Sequence, residues 1–351
     1  MTFRDTLTTM HQTLVLTGAL VFAASLGAAA PADYPSAEIT NGPVRAKIYL
    51  PEAKRGFYQG TRFDWSGVVY SLGANGHDYY GPWFDKTDPS VHDFVYRDAS
   101  IVAGPCSAIT GPVDEFAPLG YEEAKAGGTF VKIGIGALRK PDDGKYDNYH
   151  LYEIADGGKW TVRKGRNELE LTQQLQDAGS GYAYVYQKNL QLAEGKTEMI
   201  LTHRLKNTGK QAIQTDVYNH NFLVLDRQGP GPGVTISVPF AIRTPQPFGS
   251  ELAEIRGRQI VYRKTLEGRD TVATQLEGFN GSPNDHQIRI ENSRLGAGLS
   301  WRTDRPLWRE SLWSIRSVIA MEPFVSLKIE PGAQFTWTTV YEYYTVPKTG
   351  Q

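Results

Sequence analysis

The pattern that most constrains this chain is a long series of short, alternating or aromatic-rich runs separated by Gly, Pro, Asn and Asp, with no long amphipathic helix among them. Val44–Leu50, Gly67–Leu72, Thr129–Gly136, Gly181–Leu192, Glu198–Leu205, Gln211–Leu225, Val318–Phe324 and Gln334–Thr345 all read as strands, because a half-buried strand presents alternate side chains to the core. Only Tyr121–Ala126 suggests a helical turn. Many strands at short spacing predict an all-β fold, a large antiparallel β-sandwich. Asn207-Thr208-Gly209, between two such runs, reads as a hairpin turn. Gln228–Gly233 (QGPGPG) reads as a stiff surface loop rather than a domain break, since similar strands flank it on both sides.

Composition narrows the classes of function. Across 351 residues, 37 Lys+Arg face 38 Asp+Glu, for a net charge of −1. With no basic block, a nucleic-acid surface or a polybasic membrane anchor is not expected. Cys106 is the sole cysteine, which excludes an intrachain disulfide and the usual cysteine-ligated metal sites. Residues 1–32 read as an export signal: Arg4, an apolar run from Leu14 to Ala30, then Ala30-Pro31-Ala32 ahead of Asp33. Cleavage there predicts a periplasmic or secreted protein with no membrane attachment, and residues 33–351 as one domain.

Three segments could carry chemistry. Asn219, His220 and Asn221 interrupt an apolar strand with polar groups on both faces. Two amides beside an imidazole can fix its tautomer for acid–base work, or the three can form a satisfied core network. Glu322 is the lone ionisable group in Val318–Phe324. Burial would raise its pKa toward neutrality and suit a general base, whereas a strand-end position would leave it solvated. Arg62, Asp64 and His77, with Trp65, Trp83 and Phe84, match the needs of a sugar, polar groups for hydroxyls and aromatic faces for the ring. The same aromatics would serve a core. His77-Asp78 and His92-Asp93 have no compact metal-ligand spacing, so no metal is expected.

These segments, in this order, resemble the aldose 1-epimerase (galactose mutarotase-like) superfamily. Tyr218-Asn219-His220-Asn221-Phe222 is similar to its Asn-His-(Ser/Thr)-Tyr-Phe motif, and Ala320-Met321-Glu322-Pro323 with Glu330-Pro331-Gly332-Ala333 is similar to its C-terminal signature. The resemblance implies a galactose mutarotase-like supersandwich and an isomerase interconverting sugar anomers, with Glu322 as general base and a protonated His220 as general acid. It implies Arg62 and His77 as substrate-binding residues and calls for no cofactor, with a sugar or oligosaccharide as the ligand; Asn219, Asn221 and Trp83 join them as substrate-binding candidates from the residue patterns above. Departures are Ala333 in place of Glu, Asn221 in place of Ser or Thr, and a long stretch from Gly111 to Tyr186. For the substrate-binding aspartate only Asp285 and Asp304 lie in the right interval. A polysaccharide lyase or other carbohydrate-active enzyme on the same fold, using Tyr218, Tyr79 or Tyr80, and a non-catalytic glycan-binding protein are the alternatives.

Overall fold

The computed structural model describes residues 33–349; the expected export signal lies outside them. Among the described residues there is no α-helix, only short 3-10 turns at Leu225–Arg227 and Pro283–Asp285. Tyr121–Ala126 forms a turn in which Ala124 N donates to Gly120 O at 3.1 Å. Every strand pairing among these residues is antiparallel except that of Lys86–Thr87 with Ser100–Ala103.

A five-stranded sheet positions the site. Its order is Thr271–Leu276, Arg309–Ile315, Val318–Ile329, Ile213–Leu223 and Val113–Phe116. A ten-stranded sheet packs against one face of it. Val217, Val325 and Leu327 meet Leu205, Tyr186 and Trp337 at one end, and Leu312 and Met321 meet Leu299, Trp301 and Tyr341 at the other. Each such side chain, fully buried, contributes roughly 1.5–3 kcal/mol. The opposite face is also covered, here by N-terminal segments: Phe222, Val318 and Ile315 pack with Phe63, Trp83 and Ile101.

Double coverage explains the odd run in the strand Ile213–Leu223. Its first half alternates, with Gln214 exposed between buried Ile213 and Thr215, and from Val217 onward nearly every position is buried. Side chains on both faces leave water, so both faces need polar partners for any polar group they carry.

The Asn207-Thr208-Gly209 turn is not a hairpin. The strand Glu198–Asn207 lies in the ten-stranded sheet, between Ala183–Leu192 and Gln334–Thr345, while Ile213–Leu223 lies in the other sheet. Asn207 makes the turn a bridge between layers. Its side-chain amide donates to Gln211 O at 2.8 Å and to Ile329 O at 2.9 Å, and its Oδ1 accepts from Gly209 N. The turn chemistry is that of a tight reversal, but buried apolar faces on both strands direct them into different sheets.

Candidate active site

The register of the central pair builds the site. Tyr218 lies opposite Phe324 and Asn221 opposite Met321, which sets His220 beside Glu322 on the face turned away from the ten-stranded sheet. His220 Nε2 is 3.1 Å from Glu322 Oε1, with the imidazole 5% and the carboxyl 17% exposed. Phe222, two residues on and on the same face, lies flat under the imidazole at 3.7 Å and 8°. Trp83 stacks parallel to Phe222, and Trp313 meets the imidazole edge-on. These rings hold His220 in one orientation.

The pair forms the floor of a cavity of about 270 Å³, slightly below the ~300–1,000 Å³ common for small-molecule sites. Arg62, Asp93, Ser107, Tyr149 and Trp83 wall it. Arg62 is held from behind: its Nε donates to Glu115 Oε2 at 2.7 Å and its Nη2 to Tyr218 OH at 3.0 Å. Tyr218 in turn donates to Glu115. Lys132, fully buried, lies 3.5 Å from the other Glu115 oxygen. The guanidinium plane covers Tyr149 at 4.9 Å. Asp93 accepts from Ser107 Oγ at 2.6 Å.

Burial sets the protonation of this floor. It pushes Glu322 up to about 7, with Glu115 adding to the rise and Arg62 and Arg309 opposing it. Burial, with Arg62 assisting, holds His220 well below the usual histidine range. This burial opposes the cationic His220 that the resemblance implies: its Nδ1 has no hydrogen-bond partner, and the counter-charge placed to stabilise an imidazolium is Glu322 at Nε2, itself pushed toward its neutral form. Burial alone would raise Glu115, but Arg62 and Lys132 overcome it and keep that carboxylate ionised. Near neutrality the floor is a carboxylic acid of tunable charge touching a neutral imidazole. One can give a proton as the other takes one.

Other expected site residues lie elsewhere. Asn219 and Asn221 point to the opposite face, because side chains alternate. Asn219 Nδ2 donates to Asp114 at 3.0 Å, Asn221 Nδ2 donates to Met321 O at 3.0 Å, and the Tyr341 hydroxyl lies 2.9 and 2.8 Å from their amide oxygens. They tie the two sheets together and do not reach the pocket. His77 does not line it either. Its Nδ1 is 2.7 Å from Asp226 Oδ2, and the same carboxylate accepts from Asp78 N, clasping a short strand to the turn that follows the His220 strand. Asp285 accepts from Asn280 N and Asp304 from Thr338 N, both as loop ties. Tyr79 and Tyr80 are buried against Tyr343, and the Tyr218 hydroxyl is committed to Glu115, so the tyrosines considered for a lyase are not free bases. Among the described residues no three His, Cys, Asp or Glu side chains are grouped as metal ligands.

The sequence matches no protein-family model and none of the curated proteins. Solved structures do match. The Slr1438 protein from Synechocystis sp. PCC 6803 aligns over 92% of this chain and 100% of its own at TM-score 0.53 and 13% identity. A GalM/aldose epimerase homologue from C. elegans aligns over 89% and 99% at 0.52 and 14%. A galactose mutarotase related enzyme from Lactobacillus acidophilus aligns over 90% and 99% at 0.52 and 10%. The chain has the galactose mutarotase-like fold. Identities this low establish architecture and leave the chemistry to the site.

Within this galactose mutarotase-like sandwich, Asp93, Ser107, Glu115 and Tyr149 are pocket or pocket-supporting residues that the sequence did not reveal as such. Asp93 had been visible only as part of a His-Asp pair, and Glu115 and Tyr149 sit in the long stretch after Gly111 that has no motif. That stretch supplies the back and one wall of the site.

Proposed function

We propose that the pocket catalyses anomer interconversion of an aldose, a mutarotase-type isomerisation. The supporting observation is the His220–Glu322 contact on the floor of a monosaccharide-scale cavity. The proton on the C1 hydroxyl passes to one member of the pair while the other delivers a proton to the ring oxygen, and the C1–O ring bond breaks. With both groups neutral in the resting pocket, His220 Nε2 is the acceptor and the Glu322 carboxylic acid the donor. The ion pair so formed lies in contact, where its charges offset each other in a low-dielectric site. Rotation about C1–C2 and closure on the other face, with both transfers reversed, gives the second anomer. Arg62 donates to a sugar hydroxyl, and Trp83, Phe222 and Tyr149 cover the apolar ring face.

The carboxylate and imidazole act from one side, touching each other, rather than bracketing the ring from opposite sides. Following anomer interconversion by NMR across a panel of neutral aldoses tests this. Acceleration that is lost in Glu322→Gln and His220→Asn is expected, and a wild-type protein that accelerates no sugar overturns the proposal. The export reading of residues 1–32 places this activity outside the cytoplasm; N-terminal sequencing of the mature protein should then begin at Asp33.

A further inference from the structure

Resting on that reading of the pocket, we propose that the site receives the end of an oligosaccharide, with Trp308 as the platform for a sugar beyond the one in the pocket. A singly exposed apolar residue ordinarily needs no explanation. Trp308, however, is 56% exposed and held in place. Its indole Nε1 donates to Asp216 Oδ2 at 3.0 Å and its backbone N donates to Phe324 O at 2.8 Å. Asp216 is on the His220 strand, four residues away and on the same face, so the indole is anchored ~13 Å along the strand from the imidazole.

Arg309, resting on buried Phe324, lies on the ground between. Phe324 follows Glu322 by two residues on that face and stacks on Tyr218 at 4.3 Å. The Arg309 guanidinium covers Phe324 at 3.6 Å, is exposed, and forms no ion pair among the described residues. Its charge is near enough to oppose the upward shift of Glu322. A ring in the pocket would thus be followed by a linked ring over Arg309, whose free N–H groups donate to hydroxyls, and then by one stacked on Trp308. A fixed aromatic face costs little to order and matches the apolar face of a pyranose.

Ligand-observed NMR titration of the full chain with glucose and galactose, and with their linked di- and trisaccharides, tests this. The wild-type protein is expected to bind at least one oligosaccharide about three- to tenfold more tightly than its monosaccharide, the range an aromatic contact supplies. Trp308→Ala should remove that advantage without changing monosaccharide binding, and Trp308→Phe should retain most of it. Equal affinity for monosaccharide and oligosaccharide, an advantage that survives in Trp308→Ala, or no binding of any member overturns the subsite. Tight, Trp308-dependent binding without anomer interconversion would instead overturn the mutarotase reading and leave the subsite standing.

Discussion

His220 Nε2 and Glu322 Oε1 touch at 3.1 Å across two neighbouring strands, close enough for a proton to pass directly between them. A single proton shared between them is the form that can both give and accept.

The rate of anomer interconversion should therefore hold on the acid side of neutrality and fall as pH rises through about 7, where Glu322 loses its proton. Because His220 lies well below its ordinary value, the acid limb should appear well under pH 6.5. Measuring kcat/KM against pH checks this; a rate that climbs through pH 7 contradicts it.

Glu322→Gln and His220→Asn should each lower kcat by about 10²–10⁴-fold, the usual contribution of a positioned acid or base. Stability should separate the two. Glu322 has a raised folded pKa, so its favourable contribution is complete below the unfolded value near 4.5 and is lost as pH rises through about 7. Relative to wild type, Glu322→Gln should gain stability above pH 8 on the order of 3 kcal/mol, read from urea unfolding at several pH values. His220 has the opposite sign: its neutral burial costs stability as pH falls below about 6.5.

Glu115→Gln should be the most damaging single change to the support of the pocket. It leaves Arg62 and Lys132 without their shared carboxylate, and breaking a buried pair costs about 3–5 kcal/mol. Since Glu115 also helps raise Glu322, the alkaline limb of the rate should move to lower pH in any folded Glu115→Gln protein. Denaturation midpoints and the pH profile together check the two effects.

His77→Ala and Asn219→Ala should leave sugar affinity unchanged, because neither side chain lines the cavity. The first loses a partly exposed contact with Asp226 worth about 1 kcal/mol. The second removes the amide that donates to Asp114 Oδ1 and one of two acceptors of the Tyr341 hydroxyl, at about 1 kcal/mol. Affinity measured beside thermal unfolding distinguishes these structural ties from ligand contacts.

The strands, and His220 and Glu322 as candidate site residues, were legible because each announces itself within a short window of sequence. Alternation marked the strands, and His220 and Glu322 stood out as polar groups where apolar ones were due. What alternation could not say is which neighbours share a face with the ligand. Asn219 and Asn221 flank His220 in the chain and so pass to the other side of the sheet, whereas Asp93 and Tyr149 come to the pocket on loops without periodicity. The Asn207 turn shows the same limit, since local turn chemistry carries no information about which sheet each arm enters.

The two-sided dressing of the strand Ile213–Leu223 also restricts how this gene can vary in length. Inserting or deleting one codon between the Asn207 turn and His220 would swing the imidazole into the sandwich interior and the two amides into the pocket, exchanging every partner at once. Substitutions there can be graded in effect, but a one-codon length change within the strand cannot.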